Sequence, residues 1–243
     1  MVGKSATPVP AVPVQIAARV LSRIVVGHRL GFGARVLLVG CGNGELAAFL
    51  EDISFEVSGI DDSLASIDEA RSLFPRLEFH SAHPSQPVPM ELQQFDLVLV
   101  QNSGAYAGNL LGLPARLATA QLLACLKPGG HAVFVRPFGS ETAGALQHTQ
   151  DCWARHLACF PGDAHLASYT DPWFSRTTWE WLRGRSHRRG FHAVTLCLPP
   201  HVITDERWRG FASTGLLTGH AACCPAATTS APAEEVLVET RVA

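Results

Sequence analysis

A chain of 243 residues with 47% hydrophobic and 16% charged side chains carries enough apolar material to bury one generous domain and has the composition of a folded, not a disordered, protein. Its formal net charge of −2 supplies no electrostatic pull towards nucleic acid or an anionic membrane, and no apolar run reaches the roughly eighteen residues of a spanning helix. Seven cysteines, odd in number and without C-x-x-C pairs, argue against a disulfide framework or a zinc ribbon; with no charged-then-apolar leader, the expectation is a metal-free cytoplasmic protein.

Residues 1–13, with Pro8, Pro10 and Pro13, are predicted to be a flexible lead-in, and a single domain is expected over 14–243. Helix is predicted from Val14, where Ile16, Val20, Ile24 and Val25 recur at helical spacing until Gly31 and Gly33 end it. The apolar run Val36–Val39 is then closed by Gly40, Gly42 and Gly44 and followed at once by Glu45-Leu46-Ala47-Ala48-Phe49-Leu50, the pattern of a buried parallel strand turning sharply into a helix. Without Cβ atoms the backbone can approach a ligand there, and the N–H groups of the new helix face it. Gly40, Cys41, Gly42, Asn43 and Gly44 are therefore candidate binding residues. A dinucleotide fingerprint, G-x-G-x-x-G/A, would need a small residue at position 45, where Glu45 stands. The following helix is expected to bury Leu46, Phe49, Leu50 and Ile53.

A second strand, Phe55–Ile60, ends at Asp61, seventeen positions past Gly44. A carboxylate at a strand tip can accept from both hydroxyls of a ribose; Asp61, Asp62 or Ser63 can equally cap a helix over Leu64–Phe74. Leu77–Ser81 reads as a third strand, followed by a proline-broken loop from His83, and Phe95–Val100 as a fourth. The polar stretch Gln101–Tyr106 follows its carboxyl end, where open α/β sheets place ligands. A helix with Pro114 in its first turn is expected to bury Leu117, Ala120, Leu123 and Ala124, stopping at Leu126-Lys127-Pro128-Gly129-Gly130 before a fifth strand, His131–Val135.

Gly40-x-Gly42-x-Gly44, Asp61, the Phe95-Asp96-Leu97-Val98 strand and the L-K-P-G-G turn, in this order, resemble the class I S-adenosylmethionine (SAM)-dependent methyltransferases. The resemblance covers about residues 14–198. It implies an α/β fold: a Rossmann-like doubly wound seven-stranded sheet, mostly parallel with an antiparallel C-terminal strand, and helices on both faces. It also implies SAM as cofactor, held by Gly40–Gly44, Asp61 and Asp62, with Gln101 and Asn102 facing its methionine part or the acceptor. Two positions depart from the family. His83, a candidate cofactor-binding residue, stands where an aspartate commonly holds the adenine amino group, and its neutral imidazole can accept one hydrogen bond or equally point to water; Leu38 stands where an acidic residue lies near the cofactor. At about 0.5–1.5 kcal/mol per hydrogen bond, losing both would weaken SAM binding roughly tenfold.

Residues 137–174 interrupt the alternation and are rich in Trp, His and Cys; in this family such an insert often forms a lid or acceptor site. A helix over 143–160 would bury Leu146, Trp153, Leu157 and Phe160. His148, Cys152 and His156 share an adjoining face near Cys159, a spacing compatible with metal but explained by packing. Trp153, His165, Tyr169 and Trp173 are candidate pocket residues. A helix over Ser175–Arg185 ends in the basic run Arg183–Arg189, read as a solvated helix end. Gly190–Leu196 is expected to be a sixth strand and Glu235–Val242 an antiparallel last one. SAM's methyl is already activated, so a base is needed only when the acceptor must lose a proton; Tyr106 and His148 are the catalytic candidates. The expected reaction is methyl transfer to O, N or C of a small-molecule acceptor. The alternatives are a non-catalytic binding or scaffold protein of the same fold, a nucleic-acid or protein methyltransferase hinted at only by Arg183–Arg189, and a nicotinamide-dependent enzyme. Oligomeric state is not legible.

Overall fold

Successive side chains of a strand point to opposite faces, so a run apolar at every position must be covered on both. The computed structural model, which describes residues 14–84, 94–101, 103–138, 143–160, 162–170 and 190–198, shows that cover. Its elements in chain order are α1 (Val14–Gly27), β1 (Arg35–Val39), α2 (Glu45–Asp52), β2 (Glu56–Asp61), α3 (Leu64–Leu73), β3 (Glu78–Ser81), β4 (Phe95–Val100), a 3-10 turn (Gly104–Tyr106), α4 (Leu113–Ala124), β5 (Leu126–Phe138), α5 (Ala143–Leu157), β6 (Asp163–Thr170) and β7 (Gly190–Cys197). Val36 and Leu38 of β1 pack with Leu21 and Ile24 of α1, Leu46 and Leu50 of α2 and Ile67 of α3. Leu37 and Val39 pack on the other face with Leu122 and Leu123 of α4 and Trp153 and Leu157 of α5. Leu38 is wholly buried in the first of these cores, which is what its departure from the acidic family residue does here.

The seven strands form one sheet in the order β3-β2-β1-β4-β5-β7-β6. The pairs from β3 through β5 are parallel, and β7 runs antiparallel to both β5 and β6. This is the class I methyltransferase-type, Rossmann-like sheet. The chain moves from β1 outward to β3 and returns to β4 on β1's other side, so the carboxyl ends of β1 and β4 flank the point where winding reverses, the place where such sheets bind ligands. Gln101 N–H donates to the Val39 carbonyl at 2.9 Å across that point.

The base of the sheet is stapled by two of the sequence motifs. Lys127 Nζ lies 2.9 and 2.8 Å from the two carboxylate oxygens of Asp96, and Arg35 N–H donates to Asp96 Oδ2 at 2.8 Å. The Pro128-Gly129-Gly130 stretch is taken up as a register shift, Phe95 pairing Leu126 while Leu97 pairs His131. A Cβ on Gly130 would come 2.9 Å from the Lys127 carbonyl oxygen, so the second glycine lets the bulge close.

Several expectations change. Asp163–Thr170, expected to belong to an acceptor-site insert, forms β6; the side chains of 163–167 are exposed, and an edge strand without an apolar run leaves no periodic signal. Phe49 and Ile53 are 42% and 38% exposed, while Ala47 is fully buried, so the stripe of α2 turns by one position. In α4 it is Ala115, Ala118, Thr119, Ala120, Leu122 and Leu123 that are buried, and Ala124 is exposed. The antiparallel strand beside β5 is Gly190–Cys197; the segment 235–242, the helix over 175–185, the run 183–189, and residues Asn102 and Trp173 lie outside the described residues. Among the described residues no helix is long and apolar enough to cross a membrane.

Candidate functional site

The glycine turn after β1 is built from internal hydrogen bonds. The N–H groups of Gly40 and Cys41 both donate to the Ile60 carbonyl, at 2.8 and 3.2 Å, and Gly44 N–H donates to the Cys41 carbonyl at 3.1 Å. Glu45 N–H meets Asn43 Oδ1 at 3.4 Å, and Asn43 Nδ2 reaches Glu45 Oε1 at 3.3 Å. A pyrophosphate held at a helix N-terminus needs those donors free. Here the N–H groups of Gly40, Cys41, Gly42 and Gly44 are taken by acceptors within the protein, so the glycine turn itself is held by internal bonds, and the N–H groups after Glu45 at the start of α2 are the ones left for the expected ligand role.

Asp61, at the tip of β2, faces this turn. Its Oδ2 accepts from Gly42 N–H at 2.9 Å and its Oδ1 from Ser63 N–H at 2.9 Å. An ionised carboxylate offers about four lone-pair sites, so one remains on each oxygen. Gly42 has φ +56° and nothing within 4 Å of where a Cβ would stand, so the space over the turn is open on that side. Ser63 caps α3, its Oγ accepting from Ser66 N–H at 3.3 Å, which frees Asp61 from that task. Asp62 is exposed. Cys41 is buried against Gly59, and burial, with the charge of Asp61, pushes its thiol up to about 12. It is a packing group, with only its backbone at the turn. His83 is half-buried two residues beyond β3.

At the carboxyl ends of β4 and β5 lies a cleft of about 660 Å³, lined by Gln101, Tyr106, Phe134, Arg136, His148 and Trp153 among others. The two catalytic candidates thus share a cleft with Gln101, itself bonded to the strand that bears the glycine turn. Tyr106 is half-buried. Its hydroxyl lies 3.1 Å from Thr119 Oγ1, which lies 2.8 Å from His156 Nε2. Burial pushes the phenol well above its ordinary value, the Thr119 bond only partly offsetting this. A phenol so held stays protonated at neutral pH. Its ring stacks on Trp153 at 5.7 Å and meets Phe134 edge-on at 5.3 Å. His148 is exposed, with Nε2 3.8 Å from Cys152 Sγ. Cys152 lines the same cleft.

The face read as His148, Cys152 and His156 is split by the fold, since His156 is fully buried. Among the described residues no three His, Cys, Asp or Glu side chains are grouped to hold a metal. His165, on β6, is exposed and does not line the cleft. Thr119, His156, Phe134 and Arg136 were not singled out for a role at the cleft. A threonine inside Leu117-Ala118-Thr119-Ala120 and an arginine ending the apolar run Ala132–Val135 are the only signals they leave.

The buried histidine has a measurable consequence. Burial, aided by the Arg116 charge, holds His156 down to about 4, and burial beside His131 holds His28 there too. In both, the native pKa lies below the unfolded value of 6.5, so the unfolded chain binds the extra proton. Stability is therefore complete above pH 6.5 and falls as pH drops towards 4. Unfolding free energies from urea titrations are expected to fall by roughly 1–2 kcal/mol in all between pH 7 and 5 for His156, the slope steepening below pH 6.5 towards at most about 1.4 kcal/mol per pH unit, and H156L is expected to flatten that slope. A pH-independent wild type would contradict the placement.

Comparison with known proteins agrees with this geometry. Residues 36–130 match the methyltransferase domain family. Among solved structures, the chain is similar to the N-methyltransferase NodS of Bradyrhizobium japonicum WM9 in complex with S-adenosylhomocysteine, at 16% identity over 76% of this chain and 87% of that one, TM-score 0.53. YcgJ of Bacillus subtilis matches at 11% identity over 74% and 98%, TM-score 0.53. The [4+2]-cyclase SpnF matches at 21% identity over 76% and 82%, TM-score 0.51. These likenesses establish the fold. No curated protein matches the sequence.

Proposed function

We propose, from the match of residues 36–130 to the methyltransferase domain family, that the chain binds SAM at the Gly40–Gly44 turn and transfers its methyl group to a small molecule in the adjoining cleft. One observation carries the reading: Asp61, at the tip of β2, lies across the glycine turn, accepting from Gly42 N–H at 2.9 Å with lone pairs to spare on both oxygens, an arrangement suited to a ribose. In this reading the remaining lone pairs of Asp61 take the ribose hydroxyls, Gly42 leaves room for the ligand, and His83 and Gln101 flank the adenine and methionine ends. The sulfonium supplies an activated methyl group. The protein's task is to hold an acceptor in line and exclude water, and positioning alone can supply most of the acceleration. Where the acceptor must lose a proton, His148, exposed in the cleft, is the group placed to take it.

Calorimetric titration with SAM, S-adenosylhomocysteine and NAD tests the reading. Micromolar binding of the first two and none of NAD is expected. Silence from both adenosyl compounds at millimolar concentration would end it, and NAD binding would shift the assignment to a dehydrogenase. That the same fold is seen in a [4+2]-cyclase makes a turnover assay with methyl-labelled SAM the second step.

A further inference from the structure

The acceptor's chemical class is written in the cleft wall. Tyr106 is the half-buried ring there, whereas Trp153 and Phe134 behind it are only 7% and 2% exposed. Trp153 covers one side of the Tyr106 ring at an interplanar angle of 29° and Phe134 meets it at 65°, while Thr119, itself bonded to His156, tethers its hydroxyl. With stacking partner, edge contact and hydroxyl all occupied on the protein side, the remaining ring surface faces the cleft. Such a ring is anchored at its hydroxyl and on one face, and what it presents is a flat π surface. Arg136, exposed, stands on the same cleft. A guanidinium has five donors in a planar fork suited to a carboxylate, and Arg136, which already has a partner within the protein, would share that fork with a ligand's anion.

Resting on the methyltransferase reading above, we propose that the acceptor is a planar aromatic molecule bearing an acidic group: its ring stacks on Tyr106 and its anion is paired by Arg136. A flat ligand gains offset stacking without ordering a flexible wall, because the wall is already ordered. A cationic amine of the same size would be set against Arg136 and disfavoured. Thr119 and His156 are then positioning residues, acting on the acceptor only through Tyr106.

The test titrates the full chain, without and with adenosylhomocysteine, against three probe sets of matched size: hydroxybenzoates, saturated hydroxycyclohexanecarboxylates and benzylamines. Hydroxybenzoates are expected to bind at least about tenfold tighter than either other set, the gain expected of one good aromatic contact or charge pair. Y106L is expected to erase the advantage over the saturated acids, R136Q the advantage over the amines, and Y106F to retain both. Adenosylhomocysteine affinity should stay within about twofold in R136Q. A thermal melt of each variant identifies any that fails to fold, and Y106F against R136Q then still discriminates. Equal or tighter binding of the saturated acids or amines, or no binding of any hydroxybenzoate, overturns the proposal. The arm without cofactor reads this independently of adenosylhomocysteine, whose own failure to bind would instead count against the methyltransferase reading.

Discussion

Asp61→Ala is expected to weaken S-adenosylhomocysteine binding by roughly 100-fold, more than any other single substitution at the turn. In the proposed complex each oxygen of the carboxylate accepts one ribose hydroxyl. Hydrogen bonds to a charged group contribute about 1.5–3 kcal/mol each, and 1.4 kcal/mol is a factor of ten. The same oxygens accept from Gly42 and Ser63 N–H groups at 2.9 Å, so alanine also strands two backbone donors, at a cost of about 1–3 kcal/mol in stability. The two effects separate by experiment: calorimetry reads the first and urea denaturation of the free protein the second. Asp61→Asn sharpens the distinction. Its amide has one oxygen, so it can serve Gly42 or Ser63 but must turn an N–H₂ towards the other, and an intermediate loss in both measurements is expected. Full stability loss with unchanged affinity would show that Asp61 only ties β2 to the turn.

How much of this was legible beforehand follows from what kind of signal each feature leaves. The β1 strand and its glycine turn announce themselves because a doubly covered strand must be apolar at every position and its turn must accept positive φ; Gly40, Gly42 and Gly44 have φ of 75°, 56° and 84°. Asp61 was legible because a carboxylate ending an apolar run needs a reason. The edge strand β6 was not, since its exposed residues carry no period. The Tyr106–Thr119–His156 chain was hidden for another reason. It joins three elements distant in sequence, and only packing shows that a histidine counted on a candidate metal face is instead sealed behind an aromatic wall. The hydroxyl that made Tyr106 attractive as a base is also the atom that anchors it to Thr119.

The three glycines also divide their labour in a way the G-x-G-x-G pattern conceals, and Gly44→Ala is the change that exposes it. A Cβ at Gly44 would stand 2.7 Å from Phe79 Cζ and 3.1 Å from Phe74 Cδ2, in a residue held at φ +84°. Phe79 is itself buried, at 3% exposure, and cannot swing aside. The left-handed backbone costs a non-glycine residue about 1–2 kcal/mol and overpacking about 1–3 kcal/mol, so a loss of roughly 2–5 kcal/mol is expected. Gly42→Ala shares the backbone term but meets open space. It is expected to cost about 1–2 kcal/mol in stability while lowering adenosylhomocysteine affinity, because the new methyl group would occupy room meant for the ligand. Pairing Gly44→Ala with Phe79→Leu should recover part of the overpacking loss and none of the backbone strain. Urea denaturation of the three variants reads these differences directly. If Gly44→Ala were no more destabilising than Gly42→Ala, Phe79 would not be the reason for that glycine. If Gly42→Ala bound adenosylhomocysteine as tightly as wild type, the ligand would have to lie elsewhere than over the open side of the turn.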